Sequence, residues 1–236
     1  MHLTKILFVC HGNICRSPMA EFILKDMVRK AGIAEGFEIA SAATSSEELG
    51  NPVYPPARRK LAEHGIDCAG KTARRIRRED YEDWDLLIGF DEENLRHMAR
   101  AFGGDPEGKL HRLSEYAGRG GDEIDDPWYT RDFETAWEDI YEGCLGLLNA
   151  LTPEVTLDFS ACRERPELYA VMAARMLWQP NYGRNLDALY DLLTGLPHLG
   201  QRFAVRLPAE DAPCRGYAEI ITQVMEDAGT EVRILE

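Results

Sequence analysis

The chain has 236 residues, 44% of them hydrophobic, with 41 acidic against 27 basic side chains and a formal net charge of −14. That charge excludes a general affinity for nucleic acid or anionic membrane, either of which needs a basic surface. Cysteines at 10, 15, 68, 144, 162 and 214 are too sparse for a disulfide scaffold and none pair at zinc-knuckle spacing. No apolar run reaches the length of a membrane span, and "MHLTKILFVC" is too short for a signal peptide, so a reducing cytoplasm is the expected location.

The elements are predicted as alternating strands and helices. Leu3–Val9 is a buried strand. "SPMAEFILKDMVRKAG" follows as a helix, with Ser17 as N-cap, Pro18 in the first helical position and Gly32 at the C-cap. "FEIASAA" is a second strand, "PPARRKLAEHG" a helix, "DLLIGF" a third strand and "DEENLRHMARAFGG" a polar helix. "KLHRL" is a short fourth strand, and "RDFETAWEDIYEGCLGLLNAL" has the apolar spacing of a long closing helix. This alternation predicts an α/β fold, a parallel sheet with helices on both faces in three layers. "LTPE" then interrupts the pattern. "VTLDF", "RPELYAVMAARMLW", "NLDALYDLLTGL", "QRFAVRL", "YAEIITQVMEDAG" and "TEVRIL" form a second, smaller α/β series. The expected domains are 1–152 and 153–236, each large enough to fold alone.

The loop from Cys10 to Ser17 sits between the first strand and the first helix. Gly12 and Asn13 allow positive φ, so successive backbone N–H groups can turn inward as an anion nest at a helix N-terminus. Arg16 adds a planar fork that matches phosphate oxygens. In such a field Cys10 is expected to ionise readily and act as a nucleophile, with Ser17 donating a hydrogen bond to the thiolate. The arrangement asks for a tetrahedral oxyanion above a sulfur, as in a phosphate monoester. A buried structural cysteine beside a capping serine is the plainer alternative. Neither metal nor cofactor is implied.

Cys10, five residues and then Arg16-Ser17 resembles the signature of the low-molecular-weight protein tyrosine phosphatases. The likeness extends through about residue 150 and includes "NPVYPPARRKLAEHGI" and "DDPWY" at Asp125–Tyr129. It implies that Asp126, before Pro127, is the general acid; Asp125 is the neighbouring alternative. It also implies substrate contacts from His11, Gly12, Asn13, Ile14 and Cys15, with Trp128 and Tyr129 walling a flat aromatic ring. Members acting on phosphoarginine tend to carry threonine where this chain has Ile14, so a phosphotyrosine protein is the expected substrate. Many members place a histidine behind the loop in "G-H-x-A-R"; here the stretch is "GKTARR", with Lys71, and support for Asn13 is expected from Ser41 or Thr44. Arsenate reductases share the fold but use a further cysteine pair on a downstream segment, and Asp80–Arg100 has no cysteine. Cys10 and Cys15 are expected to form a disulfide under peroxide.

"NYGRNLDALYDLLTGL", with a strand ending "DF" and a closing "EVRIL", resembles barstar over about residues 155–236. Asn185 would cap a short helix, and Asp187 and Asp191, four apart, share one face with Tyr190 nearby. The resemblance implies that Asp187, Tyr190, Asp191 and Asp227 bind a basic, ribonuclease-like protein. Asn181 stands where that family has the first tyrosine of Tyr-Tyr-Gly, and Arg184 replaces an acidic residue. The opposing possibility is a binding protein whose phosphatase half is vestigial. The intact Cys10, Arg16, Ser17 and Asp126 speak against it.

Overall fold

Alternate residues of strand β1 (Thr4–Cys10) face opposite sides of a sheet, and Ile6, Leu7, Phe8 and Val9 are all fully buried. A strand buried on both faces needs helices on both sides, the arrangement of parallel α/β sheets. The structure, a computed structural model, describes residues 3–117, 122–152, 154–176, 183–195 and 202–235. The chain divides into two compact units, Met1–Arg29 with Ile33–Leu147 and Lys30–Gly32 with Leu148–Glu236.

In the first unit β1 is followed by α1 (Arg16–Lys30), β2 (Phe37–Ala43), α2 (Pro55–Glu63), α3 (Asp80–Asp83), β3 (Leu86–Gly89), α4 (Glu92–Phe102), β4 (Leu110–Arg112), α5 (Leu113–Tyr116), α6 (Pro127–Thr130) and α7 (Phe133–Leu151). The sheet order is β2-β1-β3-β4, parallel throughout. The carboxyl ends of β1 and β3 therefore lie side by side, where open α/β sheets carry their ligand crevice. On one face Leu7, Val9, Leu87, Met98 and Phe102 form a continuous core with Trp84. Close packing fixes composition in α7: a Cβ on Gly146 would lie 2.0 Å from the Tyr116 carbonyl oxygen.

One sequence expectation is corrected here. Ser17 is not the N-cap of α1: the helix starts at Arg16, and its first backbone bond runs from Met19 N–H to the Cys15 carbonyl at 3.1 Å. The Ser17 hydroxyl is engaged instead with Cys10 and Asn13. The one-turn helices α3, α5 and α6 were not anticipated, because four residues are too few to show a helical period.

The second unit contains β5 (Glu154–Asp158), α8 (Arg165–Arg175), α9 (Leu186–Gly195), β6 (Arg202–Arg206), α10 (Arg215–Asp227) and β7 (Glu231–Leu235). Its strands are parallel in the order β5-β6-β7, over a core including Leu157, Phe159, Leu168, Met172, Leu189, Phe203 and Ile221. Asn185 caps α9, its Oδ1 accepting the Ala188 N–H at 2.8 Å. Asn181 lies outside the described residues. Among the described residues no helix is long and apolar enough to cross a membrane.

Candidate active site

The loop leaving β1 wraps the Cys10 sulfur with donors. Asn13 takes φ 58°, and this left-handed turn aims its backbone N–H at Cys10 Sγ, 3.3 Å away. Ser17 Oγ lies 3.0 Å from the same sulfur. Cys10, His11, Gly12, Ile14 and Cys15 line a cavity closed on its far side by Asp126, Trp128 and Tyr129. Asn13 does not line that cavity. It is buried behind the loop, its amide bonded to Ser17, Ser41 and the Arg74 N–H, so its side chain braces the loop instead of meeting a ligand.

Arg16 is buried, and both arms of its guanidinium are held. Nη1 donates to Asp91 Oδ2 at 2.6 Å and to the Ile124 carbonyl at 2.9 Å; Nη2 donates to Asp126 Oδ2 at 2.7 Å. Burial pushes its pKa down, but the charges of Cys10, Asp126 and Asp91 outweigh burial and the net direction is up. Arg16 is thus a fixed cation beside the sulfur. Asp126 is half-buried, with its second oxygen accepting the Trp128 N–H at 3.0 Å; Asp125 is exposed. Proline at the first position of α6 and this cap together aim the Asp126 carboxylate back toward the loop.

Four contributors were not picked out in the sequence. Asp91 caps α4 while holding Arg16; an acidic N-cap directly after a parallel strand next to β1 was the available signal. Glu47 and Glu48 line the cavity mouth, where Glu47 Oε2 meets His11 Nε2 at 3.0 Å. Tyr54 backs the Trp128 ring at 4.9 Å between centroids. Burial pushes the Cys15 thiol pKa up, and Cys10 and Cys15 are both free.

The sequence model of the low molecular weight phosphotyrosine protein phosphatases matches residues 5–157. The chain belongs to that family. It is an enzyme of this phosphatase class. Low molecular weight protein-tyrosine-phosphatase YfkJ of Bacillus subtilis is 34% identical over 157 residues, 66% of this chain and 100% of that protein. The low molecular weight phosphotyrosine protein phosphatase of Homo sapiens is 36% identical over 147 residues, 61% of this chain and 92% of its own. The crystal structure of YfkJ superposes with a TM-score of 0.62, covering 64% of this phosphatase chain and 96% of YfkJ. The crystal structure of a Drosophila arginine phosphatase, 34% identical, has a TM-score of 0.57 and covers 63% and 98%.

A second model, barstar (barnase inhibitor), matches residues 152–234 of this phosphatase. Leu189, Leu192 and Leu193 bury one face of α9, while Asp187, Tyr190 and Asp191 are exposed on the other. Asp227, at the end of α10, is exposed and accepts from Gln223 Nε2 at 3.0 Å.

Proposed function

We propose that residues 1–152 hydrolyse aryl phosphate monoesters, with phosphotyrosine in protein as the substrate, through a phosphocysteine at Cys10. The observation that carries this reading is that Cys10 and Asp126 face one cavity while Arg16 is fixed beside both. The Cys10 thiolate attacks phosphorus, forming the S–P bond as the P–O bond to the phenol breaks. Asp126 gives its proton to the departing phenolate oxygen. Arg16 and the inward loop N–H groups hold the non-bridging oxygens. Water then attacks phosphorus as the S–P bond breaks, Asp126 takes the water's proton, and the sulfur leaves as a thiolate that accepts a hydrogen bond from the Ser17 hydroxyl. Ile14 presents no hydroxyl to a guanidinium, which favours an aryl over an arginyl substrate. Turnover of an aryl phosphate should be measurable in the wild type and absent in Cys10→Ser, which still binds phosphate. Retained turnover in that variant would sink the mechanism.

Residues 153–236 read best as a module for a basic protein partner, on the exposed Asp187, Tyr190, Asp191 and Asp227. Free thiols at the loop fit a reducing compartment such as the cytoplasm. Under peroxide, a Cys10 sulfenic acid condenses with the Cys15 thiol to a disulfide and water, sparing the nucleophile further oxidation.

A further inference from the structure

The carboxyl edge of the first unit's sheet carries opposite charge on the two sides of Cys10. On one side the register runs from Cys10 in β1 to Ala43 in β2 and on to Arg75, which pairs with Ala43 in a parallel bridge. Two strand spacings put the Arg75 backbone about 10 Å from that of Cys10. On the other side β3, paired with β1, leads into Glu92 and Glu93 at the start of α4. With Glu123 and Asp125, opposed there by Arg96, they line a cavity that shares Asp126 with the catalytic one.

Arg75 is anchored at the backbone and free at its tip. Its Nε donates to the Thr44 carbonyl at 3.2 Å, and the Thr44 N–H donates to the Cys10 carbonyl at 2.9 Å. The side chain is exposed, and no carboxylate of the described residues pairs with it. The backbone beneath it is fixed. The Ala43 N–H donates to the Arg74 carbonyl at 2.7 Å and the Ile76 N–H to the Ala43 carbonyl at 2.9 Å. Ile76 turns into the core, so Arg75 turns outward. Arg77 also turns outward but has Asp80 at 3.5 Å and Asp83 at 3.9 Å. In a chain of net charge −14, Arg75 is thus an uncompensated cation held at a set distance from the nucleophile. Such a cation complements a carboxylate on another molecule.

We propose that Arg75 is a specificity-determining residue that receives an acidic side chain about three residues from the phosphotyrosine of a protein substrate. The inference rests on residues 1–152 acting on phosphotyrosine and adds which surrounding sequence is favoured. An extended peptide advances about 3.3 Å per residue, so about 10 Å corresponds to three residues. Positions nearer the phosphotyrosine on that side meet Glu47 and Glu48 at the cavity mouth, where an acid gains nothing. The acidic flank on the β3 side repels an acid, so an acidic run fits on one side of the phosphotyrosine and not on the other.

The test compares kcat/KM of the full chain for three phosphotyrosine peptides and a small aryl phosphate. One peptide is neutral, one has aspartates three and four residues before the phosphotyrosine, and one has them three and four residues after it. One acidic peptide should exceed the other two by about three- to fivefold, the worth of one exposed ion pair. Arg75→Ala should remove that advantage and Arg75→Glu should reverse it, with the neutral peptide and the aryl phosphate unchanged. Arg78→Ala makes the same charge change, but its guanidinium lies beside Gly103 at the end of α4, so the preference should survive. Salt at about 0.5 M should flatten the preference. Binding of the same peptides to Cys10→Ser, read by fluorescence anisotropy, should show the same order and remains decisive if the wild type does not turn them over. Equal values for the three peptides, a preference that persists in Arg75→Glu, or one lost equally in Arg78→Ala would overturn the proposal.

Discussion

Asp91 Oδ2 lies 2.6 Å from Arg16 Nη1, while Asp91 Oδ1 accepts the Asn94 N–H at 2.6 Å. One carboxylate thus starts α4 and steers the guanidinium beside Cys10. Asp91→Ala should lower kcat/KM for an aryl phosphate by about 10–10²-fold through misplacement of Arg16. It should also cost about 1 kcal/mol of stability through the lost cap. Steady-state kinetics and a thermal melt check both. Unchanged kcat/KM would mean that Asp126 and the Ile124 carbonyl suffice to hold Arg16.

Asp126→Ala should slow turnover of a phenol that leaves poorly by about 10²–10⁴-fold. A highly acidic phenol should lose far less, because it departs without a proton. Comparing the two substrates separates acid catalysis from general damage. Equal losses would place the acid elsewhere, beginning with the exposed Asp125.

Asp80 is fully buried and accepts from Arg74 Nη1 at 2.9 Å and from the Arg77 N–H at 2.7 Å. Burial pushes its pKa up, but these hydrogen bonds and the two arginine charges outweigh it and the net direction is down from 3.8. The unfolded chain therefore binds this proton more readily than the folded one. The stabilisation is full above that ordinary value and is lost as pH falls through the lowered one. Asp80→Asn should destabilise by about 1–3 kcal/mol at pH 7, since both arginines are partly solvated and screened. The gap to wild type should narrow as denaturant melts are taken from pH 5 toward pH 2; a constant gap would remove the charge from the account.

Asp191→Ala should weaken binding of a basic protein partner such as a ribonuclease, since close charge pairs at such interfaces couple by about 1.5–7 kcal/mol. Glu210→Ala, away from α9, should have little effect. Added salt should slow association, because complementary charge acts largely on encounter. Calorimetry and stopped-flow against a basic ribonuclease check this. Equal effects of the two substitutions would dismiss the α9 face as the binding surface.

The strands and long helices were legible in the sequence because each carries its own period. Phe37–Ala43 was read with the observed bounds, and the positive φ of Asn13 and the approach of Ser17 to Cys10 were legible because these residues lie close together in the chain. Local pattern also separated the acidic face of α9 from its leucine face. What stayed hidden joins residues far apart in sequence. Asp91 meets Arg16 across 75 positions, and Glu21 and Lys71 pair behind Asn13 from a helix and a loop, whereas the support of Asn13 by Ser41 had been expected. Of the two roles read for Ser17, the N-cap failed, because a serine near a helix start satisfies the capping pattern whether or not its hydroxyl is used there, while its approach to Cys10 is as expected. Sequence fixes short-range geometry through backbone preference and periodicity. Which distant polar groups share a hydrogen is decided only when the sheet order sets β1 beside β2 and β3 and burial obliges each donor to find an acceptor.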